Sequence, residues 1–257
     1  MYLPSFRLDN KHAIVTGAGR GIGKALAIGL AEAGADVALL SRTEGDLRET
    51  AEMIRSLGKR VLVIPTDVTS KEEVLRAVST VEDEWGEIHI LINNAGMNIR
   101  SKAIEVTEEE WQTIMDTNLK SAFMMSQQVG KVMQKHGTAG RIISISSVAG
   151  HVALRTGVVY AATKAAMIQM TKVLALEWGP HNINVNSIGP WYFKTPLTET
   201  LLSNKEYVKD ILAVTPLNRV GELPELVGPV VMLASEAGNY ISGQTIFVDG
   251  GMTIHGF

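Results

Sequence analysis

Short runs of apolar and β-branched residues alternate with longer stretches in which apolar positions recur every three or four residues. His12 to Thr16 (HAIVT), Asp36 to Ser41 (DVALLS), Arg60 to Pro65, His89 to Asn93 (HILIN), Arg141 to Ser146, Ile183 to Ile188 and Thr245 to Val248 read as strands. Between them the pattern predicts a small-residue helix to Ala33, helices from Thr43 to Leu57 and after Ser70, and a long region from Thr107 to about His136 broken near Asn118. A further helix runs from Tyr160 to Trp178, where Pro180 ends it. Ser70 with Glu73, and Thr107 with Glu110, have capping-box spacing, and Val106 is placed to staple against Trp111. The strands are nearly all apolar instead of alternating, as burial on both faces requires. Right-handed crossovers then give an α/β fold, a Rossmann-like doubly wound parallel sheet of about seven strands in a single domain spanning 1–257. The least regular part, Gly189 to Gly221, lies past the sixth strand and is placed to form a substrate lid.

Composition narrows the partners. The 257 residues carry a net charge of −3, so no basic excess exists to neutralise a nucleic-acid backbone. Cysteine is absent, which excludes disulfides, thiolate metal sites and a cysteine nucleophile. Met1 to Lys11 holds Pro4, Arg7 and Asp9 where a signal peptide needs an apolar run, and no stretch is long and apolar enough for a membrane span. The expectation is a cytoplasmic protein. None of the six His sits at ligand spacing with carboxylates, so no metal is expected.

Thr16-Gly17-Ala18-Gly19-Arg20-Gly21-Ile22-Gly23 stands at the first strand-to-helix junction. Gly17 allows a tight turn, Gly21 clears the approach of a pyrophosphate, and Gly23 lets helix and strand pack closely. The helix start offers free amides and a positive dipole end to the anion. Three residues separate Gly17 from Gly21, unlike the GxGxxG spacing, and no Gly-Lys-Ser/Thr follows, so the turn points to a dinucleotide and not to phosphoryl transfer. An NAD site wants a carboxylate at the end of the second strand; this chain has Ser41-Arg42 there. A small residue followed by a guanidinium suits the 2′-phosphate of NADP, with Arg20 closing from the glycine turn; the alternative is a solvated Arg42 beside Glu44, with NAD as cofactor. Asp67, followed by Val68 after the third strand, is placed either to accept from the adenine amino group or to serve only the turn.

Tyr160 and Lys164 lie four apart on one helix and share a face. A free phenol is too weak an acid to act as a base at neutral pH, and an ammonium held nearby favours the phenolate. The pair then exchanges a proton with an alcohol or ketone. Ser146-Ser147, at the carboxyl end of the fifth strand, stands where open α/β sheets bind ligands.

With these residues in place the chain resembles the short-chain dehydrogenase/reductase family over nearly its whole length. The family's glycine motif falls on Thr16 to Gly23, its Asn-Asn-Ala-Gly on Asn93 to Gly96, and its Tyr-x-x-x-Lys on Tyr160 and Lys164. The resemblance implies that Ser147, thirteen positions before the tyrosine, orients the substrate oxygen and that Tyr160 transfers the proton. It further implies that Lys164 lowers the tyrosine's pKa and binds the nicotinamide ribose, with Asn118 holding a water relayed to the lysine. Asn94, Ala95 and Gly96 would line the adenosine ribose, and Ile188 to Thr195, including Pro190, would flank the nicotinamide. One position departs from the pattern: Pro190 is followed by Trp191 where the family has glycine, so Trp191 is expected to cover the nicotinamide or fill part of the substrate pocket.

Within the family, His181 to Asn186, Phe193 to Thr198 and Val248 to Gly251 are similar to the sugar-acid dehydrogenases acting on gluconate and keto-deoxygluconate. A sugar acid needs a cation, and Arg100 and Arg155, both on loops at the correct sheet edge, are the candidates, with Lys194 third; the alternative for each is a solvated loop charge. The competing substrates are a 3-oxoacyl thioester on an acidic carrier and a simple sugar such as glucose. The competing class is a dinucleotide-binding regulator, against which the proton-transfer set argues. Met124, Met125, Met133, Met167 and Met170 read as core and subunit-interface filler. The resemblance implies a homotetramer, or a dimer.

Overall fold

A computed structural model describes residues 2–155, 157–196 and 198–254. Leu197, within the Phe193 to Thr198 stretch, lies outside the described residues, as do Thr156 and 255–257. Seven parallel strands, β1 (His12–Thr16), β2 (Asp36–Ser41), β3 (Val61–Pro65), β4 (Ile90–Asn93), β5 (Arg141–Ile145), β6 (Asn184–Pro190) and β7 (Thr245–Val248), form one sheet in the order β3-β2-β1-β4-β5-β6-β7. The order reverses between β1 and β4, so a crevice opens at their carboxyl ends.

Successive strand residues feed opposite cores. Val15, Leu39 and Ile92 pack with Leu26 and Leu30 of α1 (Gly21–Ala33) and with Leu47 and Ile54 of α2 (Glu44–Ser56). Ile14, Leu40 and Leu91 face the other side, against Val74 and Val78 of α3 (Lys71–Trp85). Between α3 and β5 lie α4 (Glu108–Met115) and α5 (Ser121–His136), and Met125 and Met133 of α5 belong to the second core. Next comes α6 (Val158–Trp178), which contributes Leu174 there.

The chain does not break near Asn118: α4 passes into α5 through a π-helical turn, Asp116–Lys120. Both capping boxes form only by half. Ser70 and Thr107 accept from the amides of Glu73 and Glu110, at 3.3 and 3.1 Å. Their carboxylates go elsewhere, Glu73 to the Asp67 amide and Glu110 to the Ser101 hydroxyl. The irregular stretch after β6 holds two helices, α7 (Glu199–Leu202) and α8 (Lys205–Ala213). A further helix, α9 (Pro224–Ala234), was hidden by Gly228 and Pro229 in its interior. It packs on α1, where a methyl at Gly29 would lie 2.2 Å from Val227.

Candidate active site

A continuous cleft of about 1010 Å³ runs across the carboxyl ends of the strands. Its floor at one end is the turn between β1 and α1. Gly17 and Gly21 both take positive φ, 64° and 56°, and a side chain at Gly23 would lie 2.1 Å from the Gly17 carbonyl. Around Gly21 nothing stands closer than 3.8 Å to an added Cβ, which leaves the space a pyrophosphate needs. Arg20, Ile22, Ser41, Arg42, Asp67 and Val68 line the same end. Neither Arg20 nor Arg42 is in an ion pair among the described residues, and both are exposed. Burial works to raise the Asp67 carboxyl, but hydrogen bonds from Thr69 and the charge of Arg42 hold it below its ordinary value.

Asn94, Ala95 and Gly96 line the middle of the cleft. The Asn94 side chain donates to the Thr16 and Gly17 carbonyls at 2.9 and 3.2 Å, so it also fixes the glycine turn. Thr16 Oγ1 accepts from the amides of Asn94 and Ala95 at 2.9 and 3.0 Å.

Beyond them stand Ser147, Tyr160 and Lys164. Ser147 stands two residues past the end of β5, and its hydroxyl accepts from the Ala149 amide at 3.1 Å, which turns the chain back toward α6. Tyr160 is on the first turn of α6. Lys164, one turn on, is buried and donates from Nζ to the Ile145 carbonyl at 2.7 Å. Burial brings the ammonium down to about 8. Burial pushes the Tyr160 phenol up, while the Ser147 hydroxyl and the Arg100 charge pull it back. Lys164 Nζ is turned to the Ile145 carbonyl and stands 5.5 Å from the Tyr160 ring centroid. Asn118 does not line the cleft. It is buried behind it, bonded to Met97 and, at 3.4 Å, to Thr163 of α6.

At the remaining end Pro190, Trp191, Thr195 and Arg100 reach the cleft. Trp191 needs no glycine-like backbone; its amide extends the pairing of β6 to Val248 at 3.3 Å and its indole donates to Thr215 Oγ1 at 3.0 Å. Arg155 lies apart, 82% exposed and paired with Asp210 at 2.9 Å. Lys194 is paired with Glu222, and His151 stacks on Phe247, neither of them lining the cleft. Two tyrosines unmarked by any motif join Arg100: Tyr192, beside Trp191, and Tyr207 on α8.

A glycine turn open to a pyrophosphate, a tyrosine–lysine helix and a serine at the switch point of a doubly wound sheet define a nucleotide-dependent α/β oxidoreductase. Residues 17–253 match the family model described as enoyl-(acyl carrier protein) reductase. A tropinone reductase homolog of Arabidopsis thaliana is 42% identical over 251 residues, covering 97% of this chain and 95% of its own. The 2-dehydro-3-deoxy-D-gluconate 5-dehydrogenase of Dickeya dadantii is 40% identical over 254 residues, covering 98% of each. The crystal structure of a gluconate 5-dehydrogenase from Burkholderia cenocepacia, in complex with NADP and tartrate, superposes with a TM-score of 0.94 at 37% identity, covering 99% of both chains. The chain belongs to the short-chain dehydrogenase/reductase family. It is an NAD(P)-dependent enzyme acting on CH–OH groups. Among the described residues no helix is long and apolar enough to cross a membrane.

Proposed function

We propose that the enzyme uses NADP(H) to interconvert a hydroxyl and a keto group of a sugar acid of the gluconate type. The observation that carries the substrate class is Arg100. This guanidinium opens on the Tyr160 end of the cleft, is in no ion pair among the described residues, and is near enough to act on the Tyr160 phenol. A cation at the cleft with no carboxylate partner among the described residues calls for an anion on the substrate. The relatives named for gluconate and keto-deoxygluconate support the same class. Arg20 and Arg42, exposed at the mouth of the glycine turn and in no ion pair among the described residues, support the 2′-phosphate.

When bound, the nicotinamide supplies the hydride acceptor or donor. Of the residues lining the cleft, Gly17 to Gly23 would hold the pyrophosphate, Asp67 and Asn94 to Gly96 would border the adenosine, and Pro190 and Thr195 would flank the nicotinamide. Lys164, at the same end of the cleft, would hold the ribose hydroxyls. Ser147 donates to the substrate oxygen, and Tyr160 takes or returns its proton. Asn118 serves as a positioning residue, fixing α6 against the loop after β4. Phe123, Val173 and Leu176, exposed on α5 and α6, support a homotetramer; light scattering of the purified protein tests the assembly.

The deciding experiment measures NADPH and NADH oxidation against 5-keto-gluconate, 2-keto-gluconate, keto-deoxygluconate, tropinone and an acetoacetyl thioester, with Tyr160→Phe alongside. A keto-acid rate with NADPH above NADH, abolished in Tyr160→Phe with cofactor binding kept, is expected. Turnover of the thioester alone overturns the sugar-acid reading.

A further inference from the structure

The cation of the substrate end is not held by a carboxylate but by two phenols. Arg100 Nη1 donates to the Tyr207 hydroxyl at 3.1 Å, and the guanidinium stands near enough to the Tyr192 phenol to act on its ionisation. The two hydroxyl oxygens stand 2.5 Å apart. Each phenol has one proton. One of the two protons fills the bond between the tyrosines, and the guanidinium donates to the Tyr207 oxygen. The second proton has no acceptor among the described residues. Either hydroxyl can be the donor between them; Tyr192 lines the cleft and Tyr207 does not, so the arrangement that serves a ligand in the cleft has Tyr207 donating to Tyr192 and Tyr192 donating into the cleft.

The backbone under Tyr192 is built to hold this aim. Its carbonyl accepts from the Gly221 amide at 3.0 Å, and the Trp191 ring packs edge-on to its own at 4.5 Å. Burial pushes the Tyr192 phenol up to about 12, so it stays a donor at neutral pH. A guanidinium and a phenolic O–H side by side, with no anion of the protein's own, match the two oxygens of a carboxylate.

We propose that Tyr192 is a substrate-binding residue that selects carboxylate-bearing substrates together with Arg100, and that Tyr207, delivered by α8, is the positioning residue that aims it. The inference rests on the sugar-acid reading for its substrate class.

The test compares wild type, Tyr192→Phe, Tyr207→Phe and Arg100→Gln on 5-keto-gluconate and on fructose, a neutral ketose, with tartrate as a competing dicarboxylate. Phenylalanine keeps the rings and removes only the hydroxyls. Tyr192→Phe is expected to raise KM for the keto acid and the tartrate inhibition constant by about tenfold, with kcat changing less. Tyr207→Phe is expected to shift both in the same direction by about threefold, the signature of a lost aim and not of a lost fold. An unchanged tartrate constant in Tyr192→Phe overturns the inference, as does an equal loss on acid and neutral ketone. If wild type prefers the acid and only Arg100→Gln removes that preference, the tyrosines fall and the sugar-acid reading stands. If wild type shows no preference for the acid, the sugar-acid reading falls, while the tartrate constant still decides whether the two tyrosines bind an anion.

Discussion

The Asn118 carboxamide holds the backbone of Met97 at both ends, accepting from its N–H and donating to its carbonyl, each at 2.8 Å. A side chain thus does for the loop after β4 what a neighbouring strand does inside a sheet. The π turn that carries Asn118 is the wider helix needed to present it, and Thr163, its other neighbour, bonds the Tyr160 carbonyl at 2.7 Å. Asn118→Ala leaves two backbone groups of Met97 unpaired. A loss of about 1–3 kcal/mol in urea unfolding is expected, together with a lowered kcat. A variant with wild-type urea midpoint and wild-type kcat would show that the bond positions nothing.

The glycine turn predicts a cofactor defect. A methyl at Gly23 lies 2.1 Å from the Gly17 carbonyl and 2.4 Å from Asn94 Nδ2, neither of which is the free end of a long side chain. Gly23→Ala is expected to weaken NADPH binding at least about tenfold, about 1.4 kcal/mol, read by nicotinamide fluorescence. Undiminished affinity would mean that the turn relaxes without cost.

Cofactor choice rests on Arg42. Arg42→Ala should cut the ratio of kcat/KM for NADPH over NADH by about tenfold or more, the worth of one charge-assisted bond. An unaltered ratio would reduce Arg42 to a surface charge.

Much of this site was legible before any coordinates, because backbone-specific chemistry leaves local marks. Strands buried on both faces produce continuous apolar runs, and β1, β2 and β7 have the residue bounds their patterns predict. The glycine turn, Ser147 and the Tyr160–Lys164 pair are each set by neighbours close in sequence. What escaped depends on distance in sequence. Tyr207 meets Arg100 across 107 positions, on a helix whose apolar pattern gives no hint of a ligand. Arg155 matched Arg100 in residue type and sheet edge, yet α8 offers it Asp210, and it turns outward. The carboxylates of both capping boxes were likewise drawn to better-placed donors that only the folded chain supplies.

The rate should report Arg100 through pH. Burial raises the Tyr160 phenol, and Ser147 and Arg100 oppose that rise. Alcohol oxidation needs the deprotonated form and ketone reduction the protonated one, so oxidation climbs with pH and reduction declines. Removing the guanidinium in Arg100→Gln is expected to move both limbs toward higher pH. Profiles superimposable on wild type would place Arg100 out of electrostatic reach of the phenol.

Stability has its own titration at the opposite edge of the sheet. His89, whose Nδ1 accepts from the His12 amide at 3.2 Å, is brought down to about 4 by burial, with Lys11 and His12 adding to the effect and Glu87 opposing it. Its folded value lies below the unfolded one, so the unfolded chain binds the extra proton. The contribution is complete above the unfolded value of about 6.5 and is lost as pH falls toward 4, by up to about 3 kcal/mol. Urea midpoints at pH 7.5 and 5 should diverge in wild type and converge in His89→Asn; equal slopes in both would acquit His89.

The Thr16 hydroxyl takes the amides of Asn94 and Ala95 and gives its own proton to the Ile92 carbonyl, at 3.3 Å. Through one oxygen, the turn that receives the phosphates and the strip beneath the sugar are welded into a single jaw. The Arg100 partners Tyr192 and Tyr207 sit on the opposite jaw, reached only through the long excursion after β6. The molecule is therefore modular in the engineer's sense: grafting a different 191–213 segment, with Thr195 retained, should exchange what is reduced without retuning what does the reducing.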